Sequence, residues 1–222
     1  LSSSTTFRLL ATLTNHNYVE RQEQSGEYSL GLACLELARA YHASNTIRRA
    51  ALPHLQKLRD KTLETVHLAV LDKLEVVYLE KLHGLHAIGL MTSRVGGRLP
   101  SHCTGLGKAL LAYVNPQEVR EYFGQHGLTG YTGTTIRDLD ELMAHLEQIR
   151  HRGYAFDHGE HEAEVCCVAV PLFDFDDRAV AALSVSGPRE RLDPIEDRLD
   201  LIETARQAAR DISARLGYNL SE

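Results

Sequence analysis

The sequence predicts an α+β fold in which helices flank an antiparallel sheet. Three observations point there. Strand and helix signals alternate irregularly, without the regular βαβ spacing of a doubly wound sheet. Two strand-like runs, Thr65–Leu71 and Glu75–Leu82, lie either side of the turn pair Asp72-Lys73, and two more, Cys167–Phe173 and Ala179–Ser186, are joined by the acidic turn Asp174–Asp177. A long amphipathic helix is expected over Pro194–Leu216, with Ile195, Leu199, Ile202, Ala205, Ala209 and Ile212 along one stripe.

The remaining elements follow in order. Ser2 or Ser3 can cap a first helix in which Phe7, Leu10 and Leu13 recur at helical spacing, and Asn15-His16-Asn17 ends it. Tyr18–Arg21 and Glu27–Leu30 read as a short hairpin around Gln24-Ser25-Gly26. Thirty residues cannot bury a core of their own, so the chain is expected to begin inside a domain. Gly31–Ala43 is helical, and a second helix follows over Thr46–Lys61, where Pro53 predicts a kink or a break. Val95–Pro100 is a loop. Pro116–Phe123 and Asp138–Arg152 are amphipathic helices, and Tyr154–Asp157 is a strand.

Bulk properties narrow the function. The chain has 222 residues, 43% apolar and 24% charged, with a net charge of −6. That length suits one large domain or two ordinary ones. It contains no run long enough to span a membrane and no signal-peptide pattern at its start. Cys34, Cys103, Cys166 and Cys167 lack the spacing of a disulfide or zinc framework, so a reduced, cytoplasmic protein is expected. The net charge alone argues against nucleic-acid binding. The charge is uneven, however: six Lys or Arg lie between Arg39 and Lys61 against one acid, Asp60.

The stretch Ser101–Val114, SHCTGLGKALLAYV, is the densest local signal. It is not a phosphate loop, because His102 stands where the first glycine is required and Ala109 follows Lys108. Nor is it a dinucleotide fingerprint, because Leu110 replaces the third glycine. What remains is Gly105-Leu106-Gly107 before an expected helix Lys108–Tyr113. Bare backbone N–H groups there favour an anion, carboxylate or phosphate. On the residues alone, a plain glycine-rich helix start is the commoner meaning.

Taken in order, eight segments resemble the IclR family of bacterial transcriptional regulators. LSSSTTFRLLATL and NYVERQEQSGEYSLG are similar to its recognition helix and wing. VHLAVLDKLEVVYLEK, GGRLPSHCTGLGKALLA, LMAHLEQIRHRGYAFD and the closing CVAVPLFD, AALSVSGPRERL and ARDISARLG are similar to its effector-binding domain. The resemblance implies a partial winged helix-turn-helix over residues 1–30, whose two opening helices are not in this sequence. It then implies a linker helix over 31–44 and a GAF-like effector-binding and oligomerisation domain over 45–222. It also implies a non-enzymatic regulator that binds double-stranded operator DNA as a homodimer or homotetramer and responds to a small carboxylate, keto acid or sugar acid. Ser3, Ser4, Thr5 and Arg8 are the expected DNA-facing residues. Short hydroxyls and an arginine near a helix N-terminus suit phosphates and base edges.

The resemblance further implies an effector site. Ile88 and Met91 would form an apolar wall, and the Gly105-Leu106 backbone would supply donors. Asp157, Val165 and Cys167 would come from neighbouring strands. Ser184 and Ser186, two apart on one strand, would point to the same face. One stretch departs from the family pattern. In DHGEHEAEVCCVAV, Ala163-Glu164 stands where Pro-Gly is usual, and Glu164 would oppose a carboxylate. The same stretch raises a second reading, a metal-responsive sensor or small-molecule enzyme built on His158, His161, Cys166 and Cys167, with His102 and Cys103 nearby. Its spacings match no zinc motif, and no nucleophile elbow or metal-hydrolase motif is present. The favoured reading therefore needs no cofactor, no metal and no catalytic residue.

Overall fold

A computed structural model describes residues 1–85 and 91–219. The chain divides into two compact units, Leu1–Arg49 and Ala50–Glu222.

The first unit contains helix α1 (Ser3–Asn15), strands β1 (Val19–Arg21) and β2 (Tyr28–Leu30) paired antiparallel, and helix α2 (Ala33–Ser44). Ser2 is the N-cap of α1: its Oγ accepts the Thr5 N–H at 3.3 Å, which satisfies one orphan donor of the first turn. Neither helix buries a residue completely. Phe7, Leu9 and Leu13 stay exposed, because two helices and a two-stranded ribbon offer too little surface to cover them.

The second unit is built on a six-stranded sheet ordered β5-β4-β3-β8-β7-β6, antiparallel at every pairing. The strands are β3 (Thr65–Asp72), β4 (Glu75–Leu82), β5 (Arg98–Pro100), β6 (Ala155–His158), β7 (Val165–Phe173) and β8 (Ala179–Pro188). The α+β expectation holds, with both hairpins where the turn signals placed them. The loop expected over Val95–Pro100 instead ends in β5, whose Leu99 pairs with Val76.

Strand alternation divides the sheet between two helical layers. Ala69, Ala169 and Ala182 face α4 (Gly105–Leu111), α5 (Pro116–His126) and α6 (Leu139–Arg152), in a core that includes Leu106, Leu110, Phe123, Leu142 and Ile149. On the opposite face, Val170 lies against α8 (Leu199–Arg215) through Ala209. Small residues along the α4 side let that short helix lie close to the strands.

Three boundaries differ from expectation. Helix α3 (Thr46–Thr62) runs unbroken through Pro53, where burial of Ala51, Leu55 and Leu58 outweighs one missing backbone donor. The closing helix is shorter. Residues 189–198 form α7 (Arg189–Leu192) and a single 3₁₀ turn, Ile195–Asp197, before α8 begins. Leu199 is 70% exposed, and Leu201 takes the expected inward place at the start of the stripe. Helix α4 starts at Gly105, not Lys108, because Thr104 is its N-cap and accepts the Gly107 N–H at 3.2 Å.

Candidate functional site

The glycines of the GLG motif serve close approach, and neither is among the positive-φ residues. A Cβ on Gly107 would collide with the backbone of Ser101. A Cβ on Gly105 would sit 2.6 Å from Cys167 Sγ and 3.3 Å from Ala169 Cβ. Helix α4 therefore presses its first turn onto β7, which only glycine allows at these positions. The first N–H groups of a helix have no partner within it. Here Gly107 N–H goes to Thr104 and Gly105 N–H points at Cys167 Sγ.

A cavity of about 40 Å³ opens at this contact. Its walls bring together Met91, Gly105, Leu106, Asp157, Val165, Cys167, Ser184 and Ser186, all the effector-site residues named from sequence that lie within the described part. Ile88 lies outside it. Seven further residues complete the lining: His67, Tyr78, Ser93, Leu99, Thr104, His161 and Glu162. Sequence reasoning missed His67, Tyr78 and Leu99 because strand pairing brings them to the cavity. His67, for example, is the cross-strand partner of Ser184. The available signal was a lone polar residue in the apolar run Val66–Val70.

The electrostatics of the cavity favour hydrogen bonding over ion pairing. Lys108 is fully buried, but its ammonium is spent on an ion pair with Glu160 behind the cavity. Asp157 Oδ1 accepts the Glu160 N–H at 2.8 Å. Burial, and then the charge of Glu160, raise the Asp157 carboxyl to about 7, against the opposing pull of Lys108. Burial holds His67 neutral down to about 3, helped by the charge of Lys81. Burial also raises the Cys103 thiol to about 12 and Cys167 well above its usual value, so neither is a thiolate near neutral pH. His161 lines the cavity with a buried Nδ1 that has no partner among the described residues.

Two bracing systems hold the walls. Thr132, Thr134 and Thr135 hydroxyls bind the carbonyls of His158, Gly159 and Glu160 at 2.6–3.3 Å and fix the turn after β6. Across the cavity, the strap Met91–Ser93 is tied from three directions. Glu162 accepts both the N–H and the O–H of Thr92, at 2.8 and 2.5 Å. Lys81 donates to the Met91 and Ser93 carbonyls, at 3.2 and 2.6 Å. His67 Nε2 lies 3.0 Å from Ser93 Oγ.

The acid beside the cavity is therefore Glu162, not Glu164. Glu164 is exposed, and its carbonyl accepts the Arg189 N–H at 2.8 Å. The 158–167 cluster also fails to converge. His158 pairs with Glu196 at 3.1 Å, and His161 packs on the Tyr131 ring. Cys166 and Cys167 face opposite sides of β7. His102 Nε2 lies 3.0 Å from the Thr129 carbonyl. Among the described residues, no three His, Cys, Asp or Glu side chains gather to hold a metal. With the Cys103 and Cys167 thiols protonated near neutral pH, the described residues offer no thiolate nucleophile for an enzyme built on this cluster.

In the first unit, Ser3, Ser4, Thr5 and Arg8 are exposed on the first two turns of α1. Thr5 Oγ1 and Ser4 Oγ both lie near Ser2 Oγ, at 2.9 and 3.1 Å. Thr6 bonds back to the Ser2 carbonyl. No described helix is long and apolar enough to cross a membrane.

Comparison with known proteins identifies the family. The family described as "Bacterial transcriptional regulator IclR C-terminal" matches residues 39–214, and the "IclR helix-turn-helix domain" matches residues 1–23. The HTH-type transcriptional regulator XynR of Escherichia coli is 38% identical over 218 residues, which cover 98% of this chain and 86% of that protein. KdgR of Dickeya chrysanthemi is 36% identical over 99% of this chain and 71% of that protein. Among solved structures, the IclR of Thermotoga maritima superposes with a TM-score of 0.80 at 33% identity, covering 98% of this chain and 87% of that one. An IclR homologue from Microbacterium hydrocarbonoxydans, complexed with 4-hydroxybenzoate, gives 0.80 at 30% identity over 97% of this chain and 86% of that one. The chain belongs to the IclR family of bacterial transcriptional regulators, and it is a DNA-binding regulator, not an enzyme.

Proposed function

We propose that this regulator responds to a small carboxylate or keto acid held in the cavity between α4 and the sheet. Binding there changes its affinity for operator DNA. In this reading residues 1–30 contact DNA through Ser3, Ser4, Thr5 and Arg8, residues 31–44 link, and residues 45–222 bind the effector and associate as a homo-oligomer. The observation that carries the reading is the convergence of neutral hydrogen-bonding groups on one small buried space. These are the Leu106 backbone of α4, the Ser184 and Ser186 hydroxyls and the His161 Nδ1, with no lysine or arginine among the described lining residues and the Glu162 carboxylate engaged by Thr92. Such a set holds a carboxylate by oriented donors, and below about pH 7, where the raised Asp157 carboxyl keeps its proton, Asp157 does not repel one. The volume favours a ligand of a few heavy atoms. An aromatic acid such as the one bound by the Microbacterium homologue needs the Met91–Ser93 strap to move.

Coupling to DNA is then linkage: a ligand that prefers one arrangement of the oligomer shifts the DNA-competent population by that preference. The test is DNA binding to duplexes selected from a random library, with pyruvate, glyoxylate and 4-hydroxybenzoate as effectors. Ser184→Ala with Ser186→Ala should abolish the response to the small acids while ligand-free DNA affinity stays within about threefold, well below the tenfold that 1.4 kcal/mol makes. Equal loss of both properties would make the serines structural and overturn the reading.

A further inference from the structure

The residue at the centre of the cavity's hydrogen bonding is His67. It is 3% exposed. Its Nδ1 lies 3.3 Å from Ser184 Oγ and 3.4 Å from Ser186 Oγ, which are themselves 3.2 Å apart. Its Nε2 lies 3.0 Å from Ser93 Oγ on the strap. The ring is fixed by its edge contact with Tyr78, centroids 5.3 Å apart, and by cross-strand pairing with Ser184. The surrounding charges do not compensate an imidazolium. Lys81 is a cation, His83 is a second imidazole, and Glu162 is engaged with Thr92 and Lys81. Burial keeps the ring neutral.

A neutral imidazole has one N–H donor and one acceptor nitrogen. Only two arrangements therefore satisfy the three hydroxyls. In one, Nε2–H donates to Ser93, and a serine on β8 donates to Nδ1. In the other, Nδ1–H donates to the serine pair, Ser93 donates to Nε2, and the serine hydrogens are free to point into the cavity. A carboxylate accepts hydrogen bonds and offers none, so it selects the second.

We propose that His67 is a positioning residue whose tautomer sets whether Ser184 and Ser186 present hydrogens or lone pairs to the ligand, and which passes that choice to the strap through Ser93. The proposal rests on the small-carboxylate reading above. It adds that the cavity discriminates acceptor ligands from donor ligands without any change of charge, and that the strap registers which is bound.

The experiment is nitrogen-15 NMR of ring-labelled histidine in this chain, with His67→Asn used to assign the signal, and pyruvate as the probe. The expected result is a neutral His67 ring between about pH 5 and 8, where an ordinary histidine titrates. Pyruvate should move the proton to Nδ1. His67→Asn, whose amide can stand in for Nδ1–H, should retain pyruvate binding within about threefold, and His67→Gln should lose about tenfold, the scale of one hydrogen bond to a charged group. An imidazolium in the free protein overturns the proposal. So does a tautomer indifferent to pyruvate, or equal loss in both variants. If His67 behaves as described in the free protein but wild type binds no pyruvate, the carboxylate reading of the cavity is what fails, and the tautomer assignment falls with it.

Discussion

Replacing Lys108 by Met tests the electrostatic argument for the site most severely. The side chain is completely buried, and its ammonium pairs with Glu160, itself 3% exposed. Glu160 Oε2 has no hydrogen-bond partner among the described residues, so the lysine is the main compensation for a buried carboxylate. Asp157 lies within reach of the same ammonium, and losing Lys108 removes the one charge that opposes its upward shift. Removing one member of a buried pair costs about 3–5 kcal/mol. For a unit of this size that lowers the melting temperature by roughly 6–20 °C. The deficit should shrink at acidic pH, where a protonated carboxyl needs no cation. Pairing Lys108→Met with Glu160→Leu should recover most of the loss, because an apolar pair of similar volume avoids the desolvation cost. Urea and thermal unfolding of the wild type, the single variant and the double variant, at about pH 5 and 8, supply the four comparisons. A single variant within about 1 kcal/mol of wild type, or a double variant no better than the single, would refute the claim that this pair is buried and mutually compensating.

Three other expectations follow from the same geometry. Asp157 has a folded-state value near 7, above its unfolded value, so the folded state holds a proton that the unfolded state releases; stability falls as pH rises from about 4 to 7, and Asp157→Asn should gain on wild type by a few kcal/mol at about pH 8 and lose that gain toward pH 5 in paired thermal melts. Gly105→Ala forces a methyl against Cys167 Sγ and should cost about 1–3 kcal/mol, while adding Cys167→Ala should return much of it in a double-mutant cycle of chemical denaturation. Arg8→Ala should weaken DNA binding and flatten its dependence on salt by about one unit of slope, read by titrations at several salt concentrations, if the guanidinium contacts a phosphate.

Local signals made much of the fold legible. The turn pair Asp72-Lys73 and the acid run Asp174–Asp177 fall at the two hairpins that dominate the sheet, because strand alternation and turn chemistry are both local properties. Boundaries set by tertiary contact were not legible. Thr104 caps helix α4 locally, but the close approach of Gly105 to Cys167 and Ala169 on β7, which keeps the glycines inside the helix, joins residues some sixty apart and does not appear in the sequence spacing. The Arg189–Leu192 turn was invisible for a similar reason. It is too short to show a period, and it is held in part by the Arg189 N–H bonding to the Glu164 carbonyl.

The site divides the same way. Ser184 and Ser186 were readable as one face of a strand. Their partner His67 comes from a strand more than a hundred residues earlier, and Glu162 and the Met91–Ser93 strap meet only through the folded chain. The family resemblance supplied Gly105, Leu106, Asp157 and Cys167 as candidates. It did not supply the buried Lys108–Glu160 pair that sets the charge around them, because that pair joins residues 52 apart in the chain and forms only on folding.

The most direct test of the central claim is calorimetric titration of pyruvate into the wild-type chain and into the Ser184→Ala, Ser186→Ala variant, with melting temperatures measured alongside. The account predicts saturable binding to wild type. It predicts at least about tenfold weaker binding to the variant, the loss of roughly one charge-assisted hydrogen bond, with little change in melting temperature. Equal affinity in the two proteins would show that the acid binds elsewhere and would contradict the assignment of this cavity as the effector site.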